Sequence, residues 1–144
     1  MAFITYIGGT VAVSAAVPAT VDQAGFAALT YTAVGSITEW GEVGDSSEDV
    51  TETTLAGRTN HANGALDGGS VAFTILSNGT DAGQTILKTK NNTNDEVSVK
   101  ITDPDGQITY FFGKVANLKD RQRTASTMKG QTGEFRVNSA TVRV

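Results

Sequence analysis

The sequence predicts a mainly β fold: an antiparallel β-sandwich or barrel-forming sheet, flanked by one α-helix and carrying a long extended hairpin loop. Three observations predict it. Several runs alternate apolar and polar residues with period two, the pattern of strands buried on one face. A single segment carries both start and stop signals for a helix. Strands and helices do not alternate along the chain, which argues against a parallel sheet of βαβ units.

Each element has its own signal. Val11, Val13, Ala15 and Val17 share one face of a run near the start. Asp22–Leu29 (DQAGFAAL) is compatible with a short helical turn. Ala33–Val43 reads as one strand containing the single tryptophan, Trp40. Val71, Phe73 and Ile75 alternate with Ala72, Thr74 and Leu76. Asp81 followed by Gln84 is a capping-box pattern, in which the Asp accepts from the helix and the Gln reaches back. It predicts a helix over about 81–91, with Ile86 and Leu87 facing the sheet. Lys88 and Lys90 then complement the negative end of the helix dipole, and Asn91–Asn94 ends it. Val97, Val99 and Ile101 alternate with Ser98, Lys100 and Thr102. Asp103-Pro104-Asp105-Gly106 follows, where Pro presets φ and Gly supplies positive φ. Gln107–Val115 returns as the hairpin partner, and Phe135 and Val137 lead into a last strand ending near Val144.

The 144 residues suit one domain over 1–144, with an N-terminal segment 1–21 and a long polar segment 44–69. Apolar residues in 44–69 are sparse, and compact domains rarely keep unstructured loops beyond about 12–15 residues. The segment either extends a hairpin beyond the domain or waits for a partner; it is expected to be mobile in a free monomer. Residues 1–87 carry nine acids and one base, Arg58, whereas residues 88–144 carry six acids and ten bases. The halves therefore differ in sign. Either copies attract head to tail, or strands from both halves interleave and the asymmetry vanishes.

Chemistry of catalysis is not legible. There is no Cys, and His61 is the single histidine, placed in the polar segment without a converging nucleophile. Asp45, Glu48, Asp49 and Glu52 lack EF-hand spacing. The Gly pairs at 8–9 and 68–69 follow no phosphate-loop pattern. Tyr110, Phe111 and Phe112 fit a strand with two rings in the core better than a base-stacking platform, given a pI near 4.8. Val11–Ala19 is apolar, yet no Lys or Arg precedes Arg58, so a signal peptide is not expected. No run reaches the roughly 18 apolar residues of a membrane helix. The expectation is a non-enzyme without cofactor or metal, made and used without export.

Read in order, the segments resemble the major tail tube proteins of long, non-contractile-tailed phages (siphophages) and of related gene transfer agents. The residues that carry this are Asp22–Tyr31, Val34–Ile37, Trp40-Gly41, the acidic Gly-rich segment, Gly69–Ile75, Asp81–Lys90, Val97–Ile101 with Asp103–Gly106 and Thr109–Gly113, Thr127–Thr132 and Phe135–Val137. No single motif is diagnostic; the ordered combination carries the resemblance. The resemblance implies a tail tube fold, a β-sandwich flanked by a helix, without the C-terminal immunoglobulin-like domain of some members. It implies a homo-oligomer of hexameric rings stacked into a tube, with tape measure, tail tip and terminator proteins as further partners. DNA would pass through an electronegative lumen without specific binding, and no membrane is involved. The place would be the virion tail, after assembly in the host cytoplasm.

The resemblance also frames the candidate residues. Asp45, Glu48, Asp49, Glu52 and Arg58 are candidates for a loop reaching a neighbouring subunit or ring. Lys119, Arg121 and Arg123, around Asp120, are a candidate basic interface, or else a solvated turn. Glu39, Glu42, Ser70, Ala72 and Thr74 are candidates for the lumen, with Asp45 adding to its charge. Lys100 lies off the apolar face and either points outward or needs an acid beside it. Two alternatives stay open: the inner tube of a contractile tail or related secretion system, and a β-sandwich adhesive or ligand-binding module.

Overall fold

A computed structural model describes residues 3–144. Seven strands form one antiparallel path, with an eighth attached to it. In chain order the elements are β1 (Thr10–Ser14), α1 (Gln23–Ala27), β2 (Thr32–Val34), β3 (Ile37–Trp40), β4 (Ser46–Thr53), β5 (Thr59–Asp67), β6 (Ser70–Leu76), α2 (Ala82–Lys90), β7 (Val97–Thr102), β8 (Ile108–Asp120), β9 (Gly130–Val137) and β10 (Val142–Arg143). The hydrogen-bonded order is β2-β1-β7-β8-β9-β6-β3, and β10 pairs with β8. β4 and β5 form a separate two-stranded ribbon.

The order of strands forces the sheet to curl. β2 and β3 lie at opposite ends of the path, yet only Gly35 and Ser36 separate them. Three Cα steps of 3.8 Å hold Val34 and Ile37 within about 11 Å. The two ends of the sheet must therefore meet at this corner, so the sheet wraps into an incomplete barrel. The expectation of one strand over Ala33–Val43 is corrected here. Ser36 takes φ 60°, a left-handed conformation that breaks a strand.

The corner is fastened by the helix that follows β6. Asp81 caps α2 by accepting from Gln84 N at 3.0 Å with Oδ1. Its Oδ2 accepts from Gly35 N at 2.9 Å. Gln84 does not reach back to the cap, as the capping-box pattern predicts. It is fully buried, and its Nε2 donates to Gly35 O and to Leu76 O, both at 2.9 Å. Its Oε1 accepts from Asn78 N at 3.0 Å. A buried amide with all three partners beats a solvent-side cap because each unpaired main-chain group at that corner would cost desolvation.

The core fills the inside of the curl. Val11, Val13, Val71, Phe73, Ile75, Val97, Val99, Phe111, Val115 and Phe135 come from the strands, and Leu87 from α2. Phe111 and Phe135 meet edge to face at 5.4 Å, a favoured aromatic geometry. Gly113 permits the closest approach: a Cβ there would lie 1.9 Å from Arg136 O. β1 ends at Ser14, so the apolar face predicted from Val11 to Val17 stops early, and Val17 is exposed.

A second layer covers the other face of β7 and the first half of β8. Phe26 of α1 is buried, stacked on Tyr110 at 5.4 Å and tilted against Phe112 at 6.3 Å. The Tyr31 hydroxyl donates to Phe26 O at 2.9 Å. Burial, with the neighbouring Tyr110, pushes the Tyr31 hydroxyl up to about 12. Lys100 sits over the Tyr31 ring at 5.9 Å, a cation–π contact rather than an acid pair.

The Asp103–Gly106 turn closes with Gly106 N donating to Asp103 O at 2.9 Å. The final strand is interrupted: β9 ends at Val137, and β10 resumes along β8 with Val142 opposite Tyr110. Ser139 fills the gap, its Oγ accepting from Phe112 N at 2.9 Å. β8 bends at Asn117 (φ 57°), where its register with β9 shifts.

Candidate functional site

Two surfaces carry the acidic and lining residues predicted from the sequence. The first is the outward face of β3, β6 and β9. Val71, Phe73 and Ile75 point into the core, so Ser70, Ala72 and Thr74 point outward. Register places Thr74 between Glu39 and Thr132, Ala72 beside Glu134 and Ser70 beside Arg136. Lys114 of β8 lies across from Arg136. Arg136 donates to Glu134 at 3.1 Å, which also accepts from Asn117 Nδ2 at 2.5 Å. The same register sets Lys119 of β8 opposite Thr132, so this face carries Glu39 and Glu134 against Lys114, Lys119 and Arg136. Glu42 is exposed but lies beyond the end of β3, as does Asp45.

The second surface is the ribbon β4–β5. Its residues are exposed on both faces apart from the half-buried Gly64. The strand is held by its own ladder and by side-chain bridges. Thr53 and Thr59 hydroxyls meet at 3.0 Å, and His61 Nδ1 lies 3.1 Å from both Asp49 oxygens. Segment 44–69 is thus an extended hairpin, the first of the two expected forms. Threonine-rich pairs and backbone bonding make it, without the apolar alternation that marks the body strands. Arg58 sits at its tip, where Thr54 N donates to Arg58 O at 3.0 Å.

The ribbon joins the body through glycines. Gly44 precedes it, and Gly68-Gly69 follow, with Gly69 at φ 65°, a conformation glycine adopts without strain. Arg143 Nη2 donates to Val43 O at 3.1 Å beside this base. Between base and body lies a cleft of about 510 Å³ lined by Glu42, Val43, Asp45, Ser46, Ser70 and Ala72 among others.

Of the predicted basic residues, Lys119 falls at the far end of this face, opposite Thr132, and Arg121 and Arg123 lie in the loop that follows β8. The loop 121–129 joins β8 to β9 and encloses about 210 Å³. Asp120 organises it: Arg123 donates to Oδ2 at 2.9 Å and Gln131 to Oδ1 at 3.4 Å. The Gln131 and Arg123 bonds hold the Asp120 carboxyl below its usual value. Arg121 reaches Met128 O at 3.4 Å. Arg123 is therefore engaged within its own loop, while Lys119 and Lys129 take part in none of the ion pairs among the described residues. Sequence reasoning grouped Arg123 with Lys119 and Arg121 and missed Lys129, because contact across the loop is invisible in spacing.

β6 and β9 fix how the two charged features stand to each other. Ser70 pairs with Arg136 and Leu76 with Gly130. The acidic ribbon enters β6 at Ser70, and the basic loop enters β9 at Gly130. They leave opposite ends of one strand pair, roughly 20 Å apart at the strand rise of about 3.3 Å per residue. Strands of both halves interleave in the body sheet, so the charge asymmetry survives only in the projecting ribbon and loop.

Among the described residues no cluster of His, Asp and Glu could hold a metal ion, and no helix is long and apolar enough to cross a membrane. No family model and no curated protein matches the sequence. Solved structures do share the fold. The chain is similar to one in the sheath/tube terminator, in the extended state, of an extracellular contractile injection system, PVC. The TM-score is 0.69 at 8% identity, over 100% of this chain and 98% of that one. A chain of the PVC sheath–tube complex in the extended state gives 0.63 at 8% identity, over 94% and 87%. A chain of the baseplate of the anti-feeding prophage, AFP, gives 0.63 at 8% identity, over 100% and 96%.

Proposed function

We propose that this chain is a structural subunit of a phage-tail-like tube, assembling into rings, six copies to a ring, that stack around a channel. The observation that carries the reading is the β4–β5 ribbon. An isolated two-stranded ribbon is marginal in water, and here both its faces and its outer edges are open. A partner surface would complete it, and a second copy in a closed or stacked array supplies one at every position. The likeness in fold to components of tube-bearing injection systems supports the same reading, as does a sheet face of small residues and charges of both signs, suited to lining a passage.

In this reading Ser70, Ala72, Thr74 and Glu39 face the channel, with Glu42 and Asp45 adding negative charge at the end of β3. Glu39, Glu42, Asp45 and Glu134 together offset Lys114, Lys119 and Arg136, so the surface offers DNA no net attraction and DNA slides without specific binding. The ribbon, with Asp45, Glu48, Asp49, Glu52 and Arg58, engages a neighbouring subunit or ring. Tape measure, tip and terminator proteins are the further partners, and the protein is a virion component with no catalytic role. A contractile system is the second reading, favoured because all three solved structures described belong to such systems or their relatives; the tube subunit would then sit inside a sheath.

Electron microscopy of the purified protein tests the proposal. Rings or tubes are the expected outcome. A monodisperse monomer at all concentrations and salts would refute it and return the adhesive or ligand-binding module to the front. Co-expression with neighbouring structural genes, followed by imaging for a sheath, separates the contractile from the non-contractile form.

A further inference from the structure

We infer that the loop 121–129, with the ends of β8 and β9, is the receptor for the acidic ribbon of a second copy, so that copies join head to tail along the strand direction. The inference rests on the tube reading and names the contact within it. Three observations carry it. First, the ribbon and its base hold Asp45, Glu48, Asp49, Glu52 and Asp67 against the single base Arg58. Of these acids only Asp49 has an ion-pair partner among the described residues, His61.

Second, the loop holds Lys119, Arg121, Arg123 and Lys129 against one acid, Asp120, which is already satisfied internally by Arg123 and Gln131. Lys119, Arg121 and Lys129 take part in no ion pair among the described residues, although Arg121 gives one donor to Met128 O, and Arg121 and Lys129 line a hollow of about 210 Å³. Third, ribbon and loop leave opposite ends of the β6–β9 pair. One copy cannot satisfy both within itself, and a second copy in the same orientation can. Such a contact is heterologous, so it propagates rather than closing a dimer.

The test uses two charge-reversed chains. In one, Glu48, Asp49 and Glu52 are replaced by Lys. In the other, Lys119, Arg121 and Lys129 are replaced by Glu. Five of the six side chains are exposed and Arg121 is half-buried, and circular dichroism checks that both variants fold. Each variant alone presents like charges across the contact. Association followed by light scattering at low salt is expected to be about tenfold or more slower than for the unmodified protein, since steering by charge is worth roughly 10–10³ in rate.

Mixed in equal amounts, the two variants are complementary at every contact of an alternating array, where reversed ribbon meets reversed loop and native ribbon meets native loop in turn. The mixture is expected to associate like the unmodified protein, and all differences should shrink as salt shortens the screening length from about 10 Å to about 3 Å. Variants that associate normally by themselves, or a mixture that stays dispersed while the unmodified protein associates, would overturn the receptor. Rings or tubes seen in the unmodified protein in either case leave the tube reading standing, so the two failures are distinguishable.

Discussion

Gln84 is the side chain whose removal the geometry predicts most sharply. It is fully buried and binds Gly35 O, Leu76 O and Asn78 N at 2.9, 2.9 and 3.0 Å. Its partners fix its orientation, since two carbonyls need the amide NH₂ and one N–H needs the oxygen. Gln84→Met keeps the length and most of the volume but leaves three main-chain groups unpaired. At about 1–3 kcal/mol for each orphaned group, the expected loss is about 3 kcal/mol at the low end. Gln84→Ala adds a cavity to the same three losses and should cost about 1–2 kcal/mol more. Whole domains hold only about 5–15 kcal/mol, so either change is a large fraction of the total. Urea titration reads the effect. With a slope of about 1–3 kcal/mol per molar, the midpoint of the Met variant should fall by about 1–3 M at unchanged slope. A Met variant within about 1 kcal/mol of the original would refute the idea that these bonds fasten the corner.

Phe26→Ala removes the ring that seals β7 and β8 from outside and should cost about 3–5 kcal/mol, a drop of roughly 10 °C in Tm by calorimetry; a change of a degree or two would mean that α1 does not cap the sheet. Tyr31 is raised to about 12 by burial, so the neutral hydroxyl stabilises the fold below its ordinary value of about 10. That stability is lost as pH climbs through the window to about 12, and Tyr31→Phe should flatten the loss in an alkaline unfolding series. Ribbon amides such as those of Val50 and Ala62 should exchange fast in free monomers and slowly in tubes; equal protection in both states would show that no partner covers the ribbon. Replacing Glu39 and Glu42 with Lys should leave assembly intact but slow DNA delivery from finished particles, and delivery at the normal rate would remove both residues from the channel.

The body strands were legible because burial on one face leaves a period-two record: Val71, Phe73 and Ile75, or Val97 and Val99, carry it plainly. The Asp103–Gly106 turn and the Asp81 cap were legible because each rests on local chemistry. The break at Gly35–Ser36 was not, since a serine in the left-handed region writes no signal, and the reason for the break lies in pairing with β1 on one side and β6 on the other. Gln84 carried a local pattern that tertiary bonding overrode. Of the candidate surfaces, the sequence showed which charges exist and the topology showed where they stand. The pairing of Arg123 with Asp120 needs the loop geometry, as does the presence of Lys114 and Arg136 on the face expected to be acidic.

The short link between β2 and β3 also bears on how the chain reaches its native state. These strands are close neighbours in sequence and the most distant along the hydrogen-bonded path. No early local pairing can place both. β2 needs β1 and then β7, far along the chain, while β3 needs β6 and β9. The curl closes only when both halves have formed on β8, whose two ends serve one half each. Contacts of such long sequence separation slow folding into the range of milliseconds to seconds. Closure of the curl is therefore the last contact to form, and substitutions at Gly35, Asp81 or Gln84 should slow refolding, read as a smaller single-exponential rate.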